Sequence, residues 1–337
     1  MDFHTGKLQK LLYPFKIIYS VEAKKKMYMV LKDFRPDVVH INNINFQLTP
    51  SIIDAVKKYK KNKDKKIRLI ATAHDYQWVC PNHMLLVPND KQLCFACEGG
   101  KYANCTKNKC IHGSFVKSVL GSIEAYLYRI RKTYRKIDFT ICPSEFLKEK
   151  LSTNPDFYGK TITMHNFMIG AKDKNTEDGE EILKEYDIPS EYVIYFGRYS
   201  EEKGIRTLLK VCEKLQDIPF VFAGKGPLEE EVNSVKNVKN VGFRTGNNLQ
   251  TLIREAQFCV FPSQWYENCP FSVMETQTFG TPILASALGG TPELIKDGVT
   301  GELFEGGKEE ALQQKILKLW NDKERLEKYK ENCKKVA

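Results

Sequence analysis

The chain alternates short apolar runs, rich in β-branched and aromatic residues, with amphipathic stretches of helical period. In the first half the strand-like runs are PDVVHIN, KIRLIATAHD, the start of DFTICPSEFLKEKL, and TITMHNFMI; the rest of DFTICPSEFLKEKL predicts a helix that Ser144 caps. In the second half they are YVIYFGR, PFVFAG, VKNVGF, FCVFPS, PILAS and TGELF, and a short helix is predicted at Pro292–Ile295. Strands that alternate with helices at this spacing form parallel sheets joined by right-handed crossovers. Because 337 residues exceed one ordinary domain, we expect an α/β protein with two Rossmann-like domains.

A polar and acidic segment separates the two series of strands. Residues 170–190 have no strand pattern, which predicts a linker between domains at 1–169 and 191–337. A cysteine-rich insertion is expected in the first domain at about 80–112. That domain opens with MDFHTGKLQKLLYPF instead of an apolar strand and a Gly-rich turn, so we expect at least one βα unit of about 30 residues to be missing before it.

The two halves differ in charge. Residues 1–170 carry 29 Lys and Arg against 14 Asp and Glu, whereas residues 171–337 carry 23 against 28. A basic half favours contact with nucleic acid, an anionic membrane or a phosphorylated substrate, or is simply a Lys-rich solvated surface. No apolar run reaches the roughly 20 residues that cross a bilayer, and the N-terminus lacks the pattern of a secretory leader. We therefore expect a cytoplasmic protein.

Four cysteines in the insertion have a spacing typical of metal sites. Cys94, Cys97, Cys105 and Cys110 read C-x2-C-x7-C-x4-C. A C-x2-C pair with two further thiols suits a closed tetrahedral zinc site, and four thiolates would leave no open position for catalysis. The pattern therefore predicts structural zinc, and the alternative is a set of reduced thiols in an irregular loop.

Several strands of the second half end in residues suited to a nucleotide. Gly197, Arg198 and Lys203 follow YVIYFGR, at the strand end where open α/β sheets bind ligands. Two cations there suit a diphosphate, although a basic surface loop would look the same. The next two strands end in Gly224 and Gly226 and in Phe243. The glycines permit close backbone approach, and Phe243 is placed to border a flat nucleobase.

The stretch WYENCPFSVMETQTFG follows the strand FCVFPS and predicts a loop followed by a helix that Gly280 ends. Amides at a helix N-terminus form an anion site, so those near Phe271 and Ser272 are predicted to hold phosphate. Glu267 in the loop and Glu275 in the helix are predicted to accept hydrogen bonds from sugar hydroxyls. Further predicted contacts from the loop are Asn268 and Pro270.

Taken in order, FGRYSEEKG, AGKGPL, VGF and PSQWYENCPFSVMETQTFGTPILASALGGTPELIKDGVTG resemble the C-terminal domain of family 4 retaining glycosyltransferases. In the first half, PDVVHINN, TAHDYQWVCPNHMLL and CPSEFLKEKL resemble the same family more loosely. The resemblance implies a GT-B fold, with two Rossmann-like domains whose parallel sheets face across a cleft. It also implies that Arg198 and Lys203 bind the donor diphosphate, Glu275 the ribose, and Glu267 and His74 the transferred sugar.

The same resemblance implies transfer from a nucleoside diphosphate sugar to a lipid-linked or saccharide acceptor in cell-envelope polysaccharide or glycolipid synthesis. It implies no divalent metal in catalysis, and no Asp-x-Asp metal motif occurs in the chain. The basic, aromatic stretch YLYRIRKTYRKI fits contact with nucleic acid or with anionic lipid equally well. The resemblance favours the second, as peripheral contact with the inner face of the cell membrane. Two alternatives remain: a nucleotide-sugar-binding fragment with little turnover, and, less favoured, a zinc-dependent nucleic-acid binder. Nucleic acid is the less expected partner, because members of the family often act on lipid-linked acceptors.

Overall fold

The computed structural model describes residues 16–44, 48–62, 67–88, 92–168 and 179–336. The described chain forms two compact units, which divide between His165 and Asn166. The prediction of a missing βα unit falls on residues 1–15 and what precedes them, which lie outside the described residues. Within the described ranges, no helix combines the length and apolarity needed to span a bilayer.

The first unit is built on a parallel sheet in the order β1-β2-β5-β6, with a separate antiparallel pair β3-β4. Its strands are β1 (Val38–Asn42), β2 (Arg68–Thr72), β3 (Leu86–Val87), β4 (Gln92–Leu93), β5 (Phe139–Cys142) and β6 (Thr161–Thr163). Its helices are α1 (Val21–Phe34), α2 (Ser51–Asn62), α3 (Ala103–Lys107), α4 (Phe115–Ile130) and α5 (Glu145–Ser152). The predicted cap of α5 is confirmed, because the Leu147 amide donates to Ser144 Oγ at 3.1 Å.

The second unit has six parallel strands in the order β12-β11-β10-β7-β8-β9. The strands are β7 (Val193–Arg198), β8 (Phe220–Lys225), β9 (Val238–Asn240), β10 (Phe258–Phe261), β11 (Ile283–Ser286) and β12 (Gly301–Phe304). The helices are α6 (Gly179–Glu185), α7 (Ile205–Lys214), α8 (Glu229–Ser234), α9 (Gly246–Arg254), α10 (Phe271–Thr278), α11 (Glu309–Asn321) and α12 (Lys323–Val336). The first strand of this unit, β7, lies at the centre of the sheet, so the strand order reverses between β7 and β10.

Helices cover both faces of this second sheet, which explains why its strands are almost continuously apolar. One core includes Val193, Phe220 and Phe258 on one face, and another includes Ile194, Val221 and Cys259 on the opposite face. Neighbouring residues of one strand thus enter different cores, as the period of two in a strand requires. The predicted parallel α/β architecture is confirmed for each unit.

Two predicted segments differ from the structure. The described part of the predicted 170–190 linker belongs to the second unit, because α6 lies there and both Ile182 and Ile188 are buried in its core. Sparse apolar residues hid this helix among acidic neighbours. The short helix predicted at Pro292–Ile295 is a single 3₁₀ turn at Thr291–Leu294.

Candidate functional site

The candidate site of the second unit lies where the strand order of its sheet reverses. β7 and β10 are hydrogen-bonded neighbours, and their carboxyl ends lead into the two loops that carry the predicted residues. Arg198 ends β7, the loop after β7 holds Lys203, and the loop after β10 holds Glu267. Such a reversal leaves a crevice outside the strand ends, which is where open α/β sheets bind ligands.

The two loops meet in a buried ion pair. Lys203 Nζ donates to Glu267 Oε1 at 2.6 Å, and Ser263 Oγ donates to the same oxygen at 2.9 Å. Glu267 is buried, whereas the Lys203 side chain is 25% exposed. The Lys203 ammonium also lies 5.3 Å from the Trp265 ring centroid. This cluster joins two residues that the sequence predicted separately, and it adds Ser263, which the sequence analysis missed.

The backbone of the first loop is fixed against the second. The Gln264 amide donates to the Glu202 carbonyl at 2.8 Å, which ties the 3₁₀ turn before Lys203 to the loop after β10. Gly204 follows with φ +74°, and a Cβ there would stand 1.9 Å from the Pro262 carbonyl oxygen. Only glycine fits this close approach, and the approach brings Lys203 within reach of Glu267.

A third segment holds the Glu267 backbone. The Gly290 amide donates to the Glu267 carbonyl at 2.7 Å. Gly289 has φ +62°, and a Cβ there would lie 2.2 Å from the same carbonyl oxygen. The Gly-Gly pair between β11 and the 3₁₀ turn therefore shapes the loop that presents Glu267. A signal for this contact existed in the sequence, because two consecutive glycines after an apolar strand permit close backbone packing.

Three other predicted glycines serve close packing between the ends of β7 and β8. A Cβ on Gly224 would stand 1.9 Å from the Gly197 carbonyl oxygen, and one on Gly226 would stand 2.4 Å from the Tyr199 carbonyl oxygen. Gly197 itself has φ +139°. These contacts explain the glycines without a ligand, and substrate contact by all three stays a prediction.

Helix α10 begins beside this cluster with an uncapped N-terminus. Pro270 is the N-cap residue and offers no side-chain hydrogen bond, so the first amides, at Phe271 and Ser272, lack a side-chain cap. The predicted end of the helix is confirmed: Gly280 has φ +79°, and the Thr281 amide donates to the Thr276 carbonyl at 3.1 Å. An uncapped helix start of this kind attracts anions.

Glu275 lies in the second turn of α10 and is partly buried. Burial raises the pKa of its carboxyl above the ordinary value of 4.5. Within the described ranges, this carboxylate forms no hydrogen bond or ion pair with another side chain. A partly desolvated carboxylate without a protein partner is suited to accept hydrogen bonds from neutral ligand hydroxyls.

The remaining predicted residues of the second unit lie on the surface of these loops. Arg198 is exposed and makes no side-chain hydrogen bond or ion pair among the described residues. Phe243 is 59% exposed, and Lys225 Nζ lies 5.1 Å from its ring centroid. Asn268 follows Glu267 and is partly buried. The sequence analysis missed Lys225, which adds a third cation at a strand end of this sheet.

In the first unit, His74 lies just beyond the carboxyl end of β2. Its Nε2 lies 2.9 Å from Asn42 Oδ1, at the end of the neighbouring strand β1. The next residue, Asp75, accepts from the Gln77 amide at 2.8 Å and lies 3.2 Å from His83 Nδ1. The His74 ring is exposed, and Asn42 orients it. This arrangement fits a residue of a binding site and also a structural residue at the end of a strand.

The cysteine-rich segment gathers its thiols around one cavity, which is lined by Cys80, Cys94, Cys97, Cys105 and Cys110. Burial raises the pKa of Cys80 to about 11 and that of Cys97 to about 12. The Cys105 thiol donates a hydrogen bond to Cys110, which raises the pKa of Cys105 and lowers that of Cys110. Within the described ranges, no three His, Cys, Asp or Glu side chains are placed so that they could already hold a metal ion.

We predict that Gly289→Ala destabilises the second unit more than Gly298→Ala does. Both glycines have positive φ, but only the Gly289 Cβ would meet backbone, whereas nothing lies within 4 Å of a Cβ at Gly298. Backbone strain should lower the free energy of unfolding of both variants by about 1–2 kcal/mol. The clash with Glu267 should lower that of Gly289→Ala by about 1–3 kcal/mol more. Urea unfolding measures the difference, and equal losses would contradict the contact.

Comparison with known proteins finds a family model that matches most of the second unit. Residues 178–336 match the family model of glycosyl transferases group 1. An uncharacterized glycosyltransferase of Methanocaldococcus jannaschii is 25% identical over 234 residues, which are 67% of this chain and 62% of that protein. The O-antigen chain mannosyltransferase C of Escherichia coli is 28% identical over 152 residues, 43% of this chain and 41% of that protein. The alignments thus span less than two thirds of either relative.

A similar fold occurs in the crystal structure of Anabaena HepE in complex with UDP-glucose. It has a TM-score of 0.64 and 15% identity, and the match covers 93% of this chain and 76% of that one. This likeness concerns the fold alone. Residues 178–336 are therefore similar to glycosyl transferases group 1, and the chain has an α/β fold similar to that of HepE.

Proposed function

We propose that this protein transfers a glycosyl group from a nucleoside diphosphate sugar to an acceptor hydroxyl and retains the anomeric configuration. The observation that carries the proposal is the Lys203–Glu267 pair, at the reversal of strand order and beside the uncapped start of α10. The group 1 domain and the likeness to HepE, solved with UDP-glucose, support the same donor class.

The diphosphate is the part of the donor that this site suits best. Negative charge grows on the leaving diphosphate as the glycosidic bond breaks, so fixed positive groups stabilise the transition state more than the bound donor. Arg198, Lys203 and the amides of Phe271 and Ser272 supply that positive potential. Contacts of this kind typically contribute about 10²–10³ each to the rate of an enzyme.

Two carboxylates then hold the hydroxyl groups of the donor. Glu275, partly buried in α10, accepts from the ribose hydroxyls, and Glu267 accepts from the transferred sugar. Lys203 and Ser263 fix the Glu267 carboxylate before the donor arrives, so little conformational entropy is lost on binding. We assign His74 of the first unit to the transferred sugar as well, with its ring oriented by Asn42.

We propose that retention follows from attack by the acceptor on the face of the sugar that the diphosphate leaves. The residues assigned to the donor are cations, amides and hydroxyl acceptors, and none of them is assigned as a covalent nucleophile. A lipid-linked or saccharide acceptor is supported by the likeness to the O-antigen chain mannosyltransferase. We place the reaction in cell-envelope polysaccharide or glycolipid synthesis, in the cytoplasm at the inner face of the membrane.

An exposed stripe of α4 supports peripheral contact with that membrane. Val116, Ile123 and Ile130 recur at intervals of seven residues and are 66%, 50% and 78% exposed. Exposed Lys117 and Lys132 flank the stripe. An amphipathic helix with apolar residues beside lysines binds at an anionic interface by burying the apolar groups and attracting the headgroups.

Removal of Arg198 should slow transfer without unfolding the protein. Arg198→Met deletes an exposed cation that has no partner among the described residues, so we expect an unchanged Tm and a transfer rate about 100-fold lower. The assay follows consumption of nucleoside diphosphate sugars, UDP-glucose first, and proton NMR of the product reports its anomeric configuration. Lys236→Met, which deletes an exposed cation in a loop before β9, is the matched control and should behave as wild type.

Three results would contradict this proposal. An inverted product would exclude retention, and an Arg198→Met rate equal to that of Lys236→Met would remove Arg198 from the site. Binding of the nucleoside diphosphate sugars without transfer from any of them would point instead to a nucleotide-sugar-binding fragment.

Donor affinity should depend on the protonation of Glu275. The ionised carboxylate accepts ribose hydroxyls, so bound donor lowers the Glu275 pKa from its raised value in the free protein. Affinity for UDP-glucose is therefore full above the raised pKa and falls as pH drops through the lower pKa of the complex. Calorimetry should show this loss in the wild type. Glu275→Gln should bind UDP-glucose about tenfold more weakly near neutral pH, and its affinity should change less with pH. Exposed Glu327→Gln is the control, and a wild-type pH profile in Glu275→Gln would exclude the assignment.

Membrane contact is tested by flotation with lipid vesicles. We expect the protein to float with vesicles that contain anionic lipid and to remain below with neutral ones. Ile123→Asp should lower the floated fraction several-fold, because it places a carboxylate in the apolar stripe. Val299→Asp, an exposed apolar position of the second unit, is the control. Equal flotation of the two variants would exclude α4 as the element that contacts the membrane.

A further inference from the structure

The cavity of the cysteine-rich segment is surrounded by more thiols than the sequence motif contains. Cys80 lines it together with the four motif cysteines, Cys94, Cys97, Cys105 and Cys110. Cys80 lies 14 positions before the motif, in the turn that follows His74 and Asp75. Half of the ten cysteines of the chain thus converge on one small volume.

The five thiols are not equally buried. Cys80, Cys97, Cys105 and Cys110 are 7%, 7%, 1% and 8% exposed, whereas Cys94 is only partly buried. The Cys80 thiol is close enough to interact electrostatically with the other three buried thiols. Cys94 lies at the rim, where its sulfur accepts from the Ala96 amide at 3.4 Å.

A hydrogen bond from Arg129 holds the loop after Cys97, and two asparagines line the cavity. Cys97 leads into Gly99 and Gly100, against which the Arg129 guanidinium packs, with Nη1 donating to the Gly99 carbonyl at 2.6 Å. Asn104 and Asn108 supply polar lining.

The segment has little apolar material of its own to hold these thiols together. Among the described residues, the core cluster around the cavity contains Val87 and Tyr102 beside its three buried cysteines, with a few partly buried residues around it. Its secondary structure is the two-residue strands β3 and β4 and the five-residue helix α3. Segments of this kind are commonly folded around a metal, because the binding free energy replaces that of an apolar core.

We propose that this cavity binds one structural zinc ion through the thiolates of Cys80, Cys97, Cys105 and Cys110. Zinc binding replaces four thiol protons, which pass to solvent, and gives a closed tetrahedral site. The described thiols are not yet at metal-binding positions, so binding contracts the cavity until each Zn–S distance is about 2.3 Å. Cys94 then remains outside the first coordination sphere, although its spacing makes it part of the motif.

Cys80 as a ligand would connect the insertion to the turn that carries His74. The Cys80 amide donates to the Tyr76 carbonyl at 2.8 Å, and the His83 amide donates to the Cys80 carbonyl at 2.9 Å. His83 in turn contacts Asp75, the neighbour of His74. Zinc would therefore stiffen this turn, which a site confined to the four motif cysteines would not do directly.

The test measures zinc in the full chain after dialysis against metal-free buffer. Wild type should retain about one equivalent of zinc, and X-ray absorption should show four sulfur ligands at about 2.3 Å. Cys80→Ser, Cys97→Ser, Cys105→Ser and Cys110→Ser should each lose the metal. Cys94→Ser should retain it, as should Cys142→Ser, which replaces a buried thiol of β5 away from the cavity.

The comparison of Cys80→Ser with Cys94→Ser decides the ligand set. Retention of zinc by Cys80→Ser and loss by Cys94→Ser would overturn the assignment in favour of the motif cysteines. A wild-type protein without zinc, or with nitrogen or oxygen ligands in its absorption spectrum, would overturn the four-thiolate site. The wild-type spectrum stays decisive even where a variant fails to fold, because it counts sulfur ligands directly.

Discussion

The second unit depends on one buried ion pair, between Lys203 and Glu267. A carboxylate as buried as Glu267 is costly unless a cation and hydrogen-bond donors surround it, and loss of one partner from such a pair typically costs about 3–5 kcal/mol. The loops after β7 and β10 must therefore meet closely. Backbone contacts at Gly204 and Gly289, which no larger residue could make, bring them together. Packing of the two loops thus fixes the positions of Lys203 and Glu267.

This constraint separates glycines that shape the site from groups that act in it. Gly224 and Gly289 leave room for neighbouring carbonyl groups, whereas Arg198, the α10 amides and Glu275 have unsatisfied capacity among the described residues. A molecule with a diphosphate between two sugars requires both positive potential and hydroxyl acceptors. The proposed function follows from that requirement, and the family model that residues 178–336 match agrees with it.

Local signals in the sequence predicted local structure well. The Ser144 cap, the end of α10 at Gly280 and the parallel alternation of both units depend on neighbouring residues, and the structure confirms them. Contacts between distant residues were less accessible. The bond from Ser263 to Glu267, the approach of Gly289 and the convergence of Cys80 with the motif cysteines depend on tertiary packing. Helix α6 was missed because acidic residues surround its apolar residues, Ile182 and Leu183.

A crystal structure of the full chain with UDP would test the central claim most directly. The account predicts diphosphate density within hydrogen-bond distance of Lys203 Nζ and the amides at the start of α10, with the ribose hydroxyls on the Glu275 carboxylate. Density for UDP on another surface, with none beside the Lys203–Glu267 pair, would contradict the proposed donor site.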